Sequence, residues 1–497
     1  MNKKPNKVNS DLEKAKKLVN QAKYKEALDY LELRKTKLDK HPIFHNMKGV
    51  SLQGLSEHEL AVSSFLQAVK LNPLDPLPFT GIANSLFKNL RFDEAKKYYE
   101  LSLVIDENYH DALVGMGSVA FQSSQYDVCE NYFKQALEQR PQTVTANTNL
   151  ANCYSAQGRH EDALKYLEIA ARNAPENSPA FLNLGLIKLG REEYDSGWDL
   201  YEHRFHEDNL LVPRFSLTPR WQGPSGKTEK VLVWAEQGLG DEIMYASIYQ
   251  DLEGLEEKFI VECDPRLLEL FKYSFPKLGF TPKTRATEAS GIDAQIPIAS
   301  LPRHFRKNKD SFQDTRHPYL TLPPPSKAQE DLIRYLESLP KPLIGVSWES
   351  YALTPNFRER KSIPAEQFEC LTKSVSATFI NLQFTNPHKH ESNKPQRIPA
   401  EIISLPGVDL KNDIRSLCTL ISHMSHVVTI GNTVAHICGA IGKKTTVLLP
   451  SVSDWRWGFT NSKSNWYPTL TLARNKDPDN WIALLNTLKD QLLKKNH

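Results

Sequence analysis

The sequence predicts a helical-repeat array followed by two α/β domains, each built on a parallel sheet. Three observations carry that prediction. Blocks of 34 residues starting at 8, 42, 76, 110, 144 and 178 repeat in phase without insertion. Beyond residue 229 the pattern changes to short apolar runs alternating with amphipathic stretches, as βα units require. One of those runs, V-L-V-W-A-E-Q-G-L-G-D-E at 231–242, passes from an apolar strand through Gly238 and Gly240 into a helix start. Open α/β sheets present a site in that way, at the carboxyl end of a strand.

The array comes first. Small residues recur at the eighth place of each block (Ala15, Gly49, Ala83, Gly117, Ala151, Gly185) and at the twentieth (Ala27, Ala61, Ala95, Cys129, Ala163, Gly197). Ala68, Ser102, Ala136 and Ala170 share the twenty-seventh place, and Pro73, Pro141 and Pro175 the thirty-second. Two antiparallel helices cross closely only where small residues lie at the contact, and a proline ends the second helix. Larger residues such as Tyr98, Tyr99, Tyr132, Phe133, Tyr166 and Leu167 fill the seams. The first copy is degenerate, with Arg34 and Asp39 at two of these places, which a capping repeat tolerates. This pattern resembles the tetratricopeptide repeat, and a superhelix of about six repeats is expected over 8–209. Such arrays bind peptides or partner proteins in their groove. The alternative is that this one mediates self-association into a homo-oligomer or stiffens the chain.

Composition narrows the partners. At 497 residues the chain is sized for about three domains. A net charge of +3 with 40% apolar residues gives no argument for nucleic acid or a membrane surface. No apolar stretch approaches the roughly 18 residues needed to span a bilayer. Residues 1–20 are polar and lysine-rich, so no secretory signal is expected there and a cytoplasmic protein is. The six cysteines form no C-x-x-C pair, and several sit in apolar runs, where a reduced cysteine acts as a small hydrophobe.

A junction follows. Gly197, Trp198, Tyr201, Glu202 and Arg204 replace ordinary repeat positions, and a linker at 210–228 carries Pro219, Trp221, Gly223 and Pro224. Trp198 and Arg204 read as glue between domains rather than as catalysts. The run G-W-x-x-Y-E-x-R, then P-x-W-x-G, then E-Q-G-L-G-D resembles the bacterial tetratricopeptide-repeat glycosyltransferases. The resemblance covers nearly the whole chain. It implies a GT-B-type pair of Rossmann-like domains akin to the lipopolysaccharide heptosyltransferases and, more distantly, to the protein O-GlcNAc transferases.

The two halves are expected at 229–325, the acceptor side, and 326–497, the donor side, with the polar L-P-P-P-S-K at 322–327 between them. Strands are expected at 231–235, 259–263 and near 294–298 in the first half. In the second they are expected at 343–348, 378–383, 426–430 and 445–449. Asp264 before Pro265 reads as a helix N-cap, and a closing helix runs from 481 to 493. Ligands of such pairs lie in the cleft between the halves.

Candidate site residues follow from both halves. Gly431, Asn432 and Thr433 open a helix after the 426–430 strand, with outward N–H groups and a hydroxyl that suit an anion. His436 lies one turn inside. Alone it would read as a structural histidine, but the resemblance, in which D/N-T/S-x-x-H binds the donor's phosphate, makes it a ligand residue. The loop after the 343–348 strand carries Trp348, Arg358, Arg360 and Lys361, and K-S-I-P resembles the segment whose lysine neutralises the leaving phosphate. D-W-R-W at 454–457 places Arg456 between Trp455 and Trp457, where a guanidinium pairs with phosphate or stacks on a base.

Gly240-Asp241 matches the heptosyltransferase G-D motif, which makes Asp241 the candidate base. A helix-capping aspartate is the alternative, Glu236 and Glu242 are lesser candidates, and Gln237 and Gly240 are possible site residues. The glycine spacing is not G-x-G-x-x-G, so no dinucleotide fingerprint is present. The D-x-D of Asp477 and Asp479 reads as a helix cap, and no His/Cys cluster has metal-ligand spacing, so a metal-free mechanism without a bound cofactor is expected. The resemblance implies an inverting transfer from a nucleotide sugar (UDP-, ADP-, GDP- or CMP-linked) to a protein Ser or Thr hydroxyl, plausibly of flagellin. The alternatives are a glycan acceptor such as lipopolysaccharide, or an inert scaffold for partner proteins.

Overall fold

A computed structural model of the protein describes residues 7–175, 178–205, 214–284, 291–313, 315–350, 361–384, 398–477 and 480–494. The chain divides into two compact units, 1–183 and 184–497.

The first unit is helical. After the pair Lys7–Asn20 and Tyr24–Glu32, first helices begin at Pro42, Pro76, His110 and Val144, and second helices at His58, Phe92, Tyr126 and His160. The period is 34 residues throughout. The small places are where helices touch: Ala27, Ala61, Ala95, Cys129 and Ala163, with Ala68, Ser102, Ala136 and Ala170, are all at or below 1% exposure. Rings at the twenty-fourth place need glycine opposite them. A Cβ on Gly49 or Gly81 would come within 2.7 or 2.5 Å of the Phe65 ring.

Each helix pair turns on a left-handed residue at the fifteenth place. Ala22, Ser56, Leu90 and Ser124 have φ between 56° and 62°, and Gly158 has φ 75°. Only the last is the residue type that takes this conformation without cost. Cys129 and Cys153 form a disulfide between helices Tyr126–Gln139 and Val144–Ala156. For these two the expectation of reduced cysteines is corrected, because antiparallel packing brings together side chains that lie 24 residues apart, whereas Cys263, Cys370, Cys418 and Cys438 are free.

The second unit contains two parallel sheets. The first has β1 (Lys230–Trp234), β2 (Lys258–Cys263), β3 (Gly279–Pro282) and β4 (Ala294–Pro297) in the order β3-β2-β1-β4. The other has β5 (Leu343–Ser347), β6 (Thr378–Asn381), β7 (Ile402–Ile403), β8 (His426–Ile430), β9 (Thr445–Leu449) and β10 (Leu470–Arg474) in the order β10-β9-β8-β5-β6-β7. Counted within its own sheet, the second reads 3-2-1-4-5-6 from the β7 edge, the order of a doubly wound α/β sheet. The first reads 3-2-1-4, the same plan cut short. In each sheet the order reverses beside its first strand, between β1 and β4 and between β5 and β8.

The helix Tyr194–Tyr201 belongs to this unit, not to the first. Trp198 donates its indole N–H to the Arg306 carbonyl at 2.8 Å and packs edge-on to Trp455, with ring centroids 5.5 Å apart. The expected array boundary at 209 therefore falls inside the second unit. Trp198, Tyr201 and Arg204 have left the repeat pattern because they face a different core.

Candidate functional site

The carboxyl ends of β1 and β8 lie close together, and their chemistry is built around the switch points. After β1 the chain forms the helix Leu239–Tyr245, which packs on the helix Thr433–Ala440 that follows β8. Gly240 is the point of closest approach, since a Cβ there would lie 2.9 Å from His436 Cδ2. Its missing side chain makes room for His436 rather than for a ligand. Gly238 has an ordinary φ of −83°, so no left-handed turn is involved.

Asp241 sits in the first turn of its helix. Its Oδ2 accepts the Gly238 N–H at 3.3 Å, and its Oδ1 accepts Arg456 Nε at 2.5 Å. Asp241 thus caps its own helix start through Oδ2 from the third helical position, with Gly238 as the N-cap residue, and pairs with Arg456 through Oδ1. Arg456 also donates to Asp454 Oδ1 at 2.9 Å and reaches Gln237 Oε1 at 3.5 Å, while its guanidinium lies over the Trp455 ring, 4.6 Å from the centroid. Burial opposes the Arg456 charge, but Asp241 and Asp454 outweigh it and hold the proton more tightly than usual. For Asp454 burial works upward, and Arg456 and Lys361 overcome it, leaving the carboxyl at about 2. Lys361 thus acts on Asp454 through its charge.

His436 is 6% exposed, and its Nδ1 lies 2.8 Å from the Tyr467 hydroxyl. Burial lowers its pKa to about 4, the Arg456 charge adding to the effect and Asp241 opposing it. At neutral pH it is an uncharged imidazole, so any contact with phosphate is a hydrogen bond and not an ion pair. Asn432 is the N-cap: its Oδ1 accepts the Val434 N–H at 3.1 Å and the Thr429 hydroxyl at 3.1 Å, and its amide donates to Ser347 Oγ at 2.8 Å. The amide is committed to tying β8 to β5 across the switch point, so the expected outward role passes to Thr433, partly exposed at the first helical position.

Three expected residues lie elsewhere. The Glu236 side chain is 1% exposed and accepts Arg204 Nε at 2.8 Å, Arg204 Nη2 at 2.7 Å and the Ala299 N–H at 3.1 Å. Three bonds and a buried guanidinium hold that carboxylate away from solvent, which corrects its candidacy as a base. Trp348 is 2% exposed, stacked on Phe368 in the core of the second sheet, and is a packing residue. Glu242 is buried, its Oε2 accepting the Asp264 N–H at 2.7 Å, and burial raises it to about 7. Gln237 supports Arg456 and donates to the Tyr201 hydroxyl at 2.8 Å. Trp455 is the platform under Arg456 and the anchor for Trp198. Arg358, Arg360 and Asp479 lie outside the described residues. Asp454, Tyr201, Tyr467 and Ser347 were not foreseen in the site. Asp454 stands in the D-W-R-W run and Tyr201 in the G-W-x-x-Y-E-x-R run, while Tyr467 and Ser347 carry no local motif.

Comparison with known proteins supports the array. The tetratricopeptide-repeat family profile matches residues 109–176. The first unit is a tetratricopeptide-repeat array. Protein FlbA of Caulobacter vibrioides is 27% identical over 362 residues, which cover 68% of this chain and 59% of that protein. This chain thus spans less than two thirds of that relative's length. Hsp70-Hsp90 organizing protein 1 of Glycine max is 24% identical over 116 residues, 23% of this chain and 20% of that protein. Among solved structures, pilF of Pseudomonas aeruginosa aligns with 40% of this chain and 90% of its own, at 14% identity and a TM-score of 0.35. Among the described residues no helix is long and apolar enough to cross a membrane.

Proposed function

We propose that the second unit is an inverting glycosyltransferase of GT-B type that moves a sugar from a nucleotide-activated donor to a protein hydroxyl. The observation that carries this reading is the facing of two switch points, with Asp241 after β1 at one, Thr433 and His436 after β8 at the other, and Arg456 after β9 bonded to Asp241. Open α/β sheets bind ligands at such points. Asp241 takes the proton of the acceptor hydroxyl, the oxygen forms its bond to the anomeric carbon, and the bond to the donor phosphate breaks with its electron pair leaving on phosphate. Lys361, Arg456 and the positive end of the helix Thr433–Ala440 balance that charge. The repeat array selects the acceptor, and flagellin is the first acceptor to test.

A second reading is an inert scaffold, with the array gathering partner proteins as the Hsp70-Hsp90 organizing proteins are named for doing. It is favoured by the engagement of Asp241 with Arg456, which leaves the carboxylate occupied. Asp241→Ala decides between them. Under the enzyme reading, transfer from a panel of nucleotide sugars falls by at least about 100-fold with repeat-dependent partner binding unchanged. Wild-type chain that transfers no sugar from any donor supports the scaffold.

A further inference from the structure

Asp241 and the leaving phosphate of the proposed reaction need the same cation. Both side chains of the Asp241–Arg456 pair keep some exposure, 18% and 16%, so the pair lies where a ligand can reach it. Arg456 is held on three sides, by Asp241 Oδ1, Asp454 Oδ1 and Gln237 Oε1, and is stacked on Trp455. Asp241 is held on two, by Arg456 and by the Gly238 N–H. A carboxylate with one oxygen on a guanidinium and the other on a backbone N–H keeps two of its four acceptor positions. The guanidinium that one oxygen holds is the cation the leaving phosphate needs, so Asp241 and the phosphate compete for it. Asp454 and Gln237 stay with Arg456 when Asp241 leaves, so the guanidinium does not become an unpaired buried charge.

We infer that Arg456 is a positioning residue shared between Asp241 and an incoming phosphate-type anion, so that binding of the anion releases the base. The inference rests on the glycosyltransferase reading above and adds a coupling to it: the donor's phosphate frees the base. A donor-free chain has its base paired with Arg456, and the donor carries the competing anion in its diphosphate.

Inorganic pyrophosphate is the probe, titrated into the full chain by calorimetry. Asp241→Asn removes the competing charge and is expected to tighten pyrophosphate roughly tenfold. Asp241→Asn combined with Arg456→Gln is expected to lose that gain. An unchanged affinity in Asp241→Asn, or a gain that persists in the double variant, overturns the exchange. The glycosyltransferase reading survives that result if Thr433→Val still weakens pyrophosphate. A wild-type chain that binds no pyrophosphate overturns both. A second measurement needs no variant: carbodiimide coupling at Asp241, read by peptide mass spectrometry, rises several-fold when pyrophosphate saturates the chain. Coupling that stays constant overturns the exchange.

Discussion

His436 is wedged between Gly240 on one side and Trp457 and Tyr467 on the other. Burial lowers its pKa from 6.5 to about 4. Between those values the unfolded chain binds a proton that the native chain refuses, so the native state loses stability as pH falls. The contribution is complete above pH 6.5 and is lost as pH falls through about 4, a change of roughly 3 kcal/mol. His304 and His317 are lowered to about 4 by the same cause and add to the acid limb. Urea unfolding of the second unit at pH 7 and pH 4.5 is expected to show a smaller difference for His436→Asn than for wild type. An equal difference would mean that His436 is charged in the native state.

Whether a residue's role was legible depended on how far away its partners were. Asp241 could be placed at the carboxyl end of β1 from its own neighbours, because strand, turn and helix start lie within ten residues. Glu236 sits on the same turn, yet its fate is set by Arg204, Ala299 and their neighbours, 32 and 63 residues away. No local pattern distinguishes an acid that will face solvent from one that will meet a buried guanidinium.

At the scale of turns and helices, the six blocks share a left-handed residue whose identity varies. Leu90 has φ 62° and is 74% exposed, so it pays backbone strain without packing in return. Leu90→Gly is expected to raise stability of the array by about 1 kcal/mol, visible as a higher urea midpoint with an unchanged slope. The cap of the Thr433–Ala440 helix makes the opposite case. Asn432→Ala loses the cap and the amide donor to Ser347, a cost of about 2 kcal/mol, while Thr429 keeps the Ile430 carbonyl as acceptor. Asn432→Asp keeps the cap and changes stability by under about 0.5 kcal/mol, while its added negative charge weakens pyrophosphate binding. Equal losses for both variants would show that the amide donor to Ser347, and not the cap, holds the helix start.

The central strands were legible for a related reason. β1, β5, β8 and β9 are flanked by strands and covered on both faces, so they read as unbroken apolar runs. The three strands that the sequence did not reveal, β3, β7 and β10, are all sheet edges. Their residues, G-F-T-P, I-I and L-T-L-A-R, are too short or too mixed to stand out. An edge strand buries less and so leaves a weaker trace.

For the whole molecule, the informative boundary is that between the array and the second unit, expected at 209 from the end of the repeats. The repeat spacing persists to 201, but the burial changes owner earlier, at 183–184. Trp198 is 1% exposed against Arg306, Trp455 and Trp466, and Arg204 is 2% exposed with Glu236, Glu202 and Ser300 as partners. Deleting residues 1–175 leaves all of these contacts in place. Deleting 1–209 removes a buried tryptophan, at about 3–5 kcal/mol, and leaves Glu236 as a buried, unpaired carboxylate, at about 3–5 kcal/mol more. That sum is comparable to the entire stability of a domain. Residues 176–497 are therefore expected to melt cooperatively and to bind pyrophosphate, whereas residues 210–497 show no cooperative transition by calorimetry. A cooperative transition in both fragments would return Trp198 and Arg204 to the array. A transition in neither would mean that the second unit needs the first five repeats to fold.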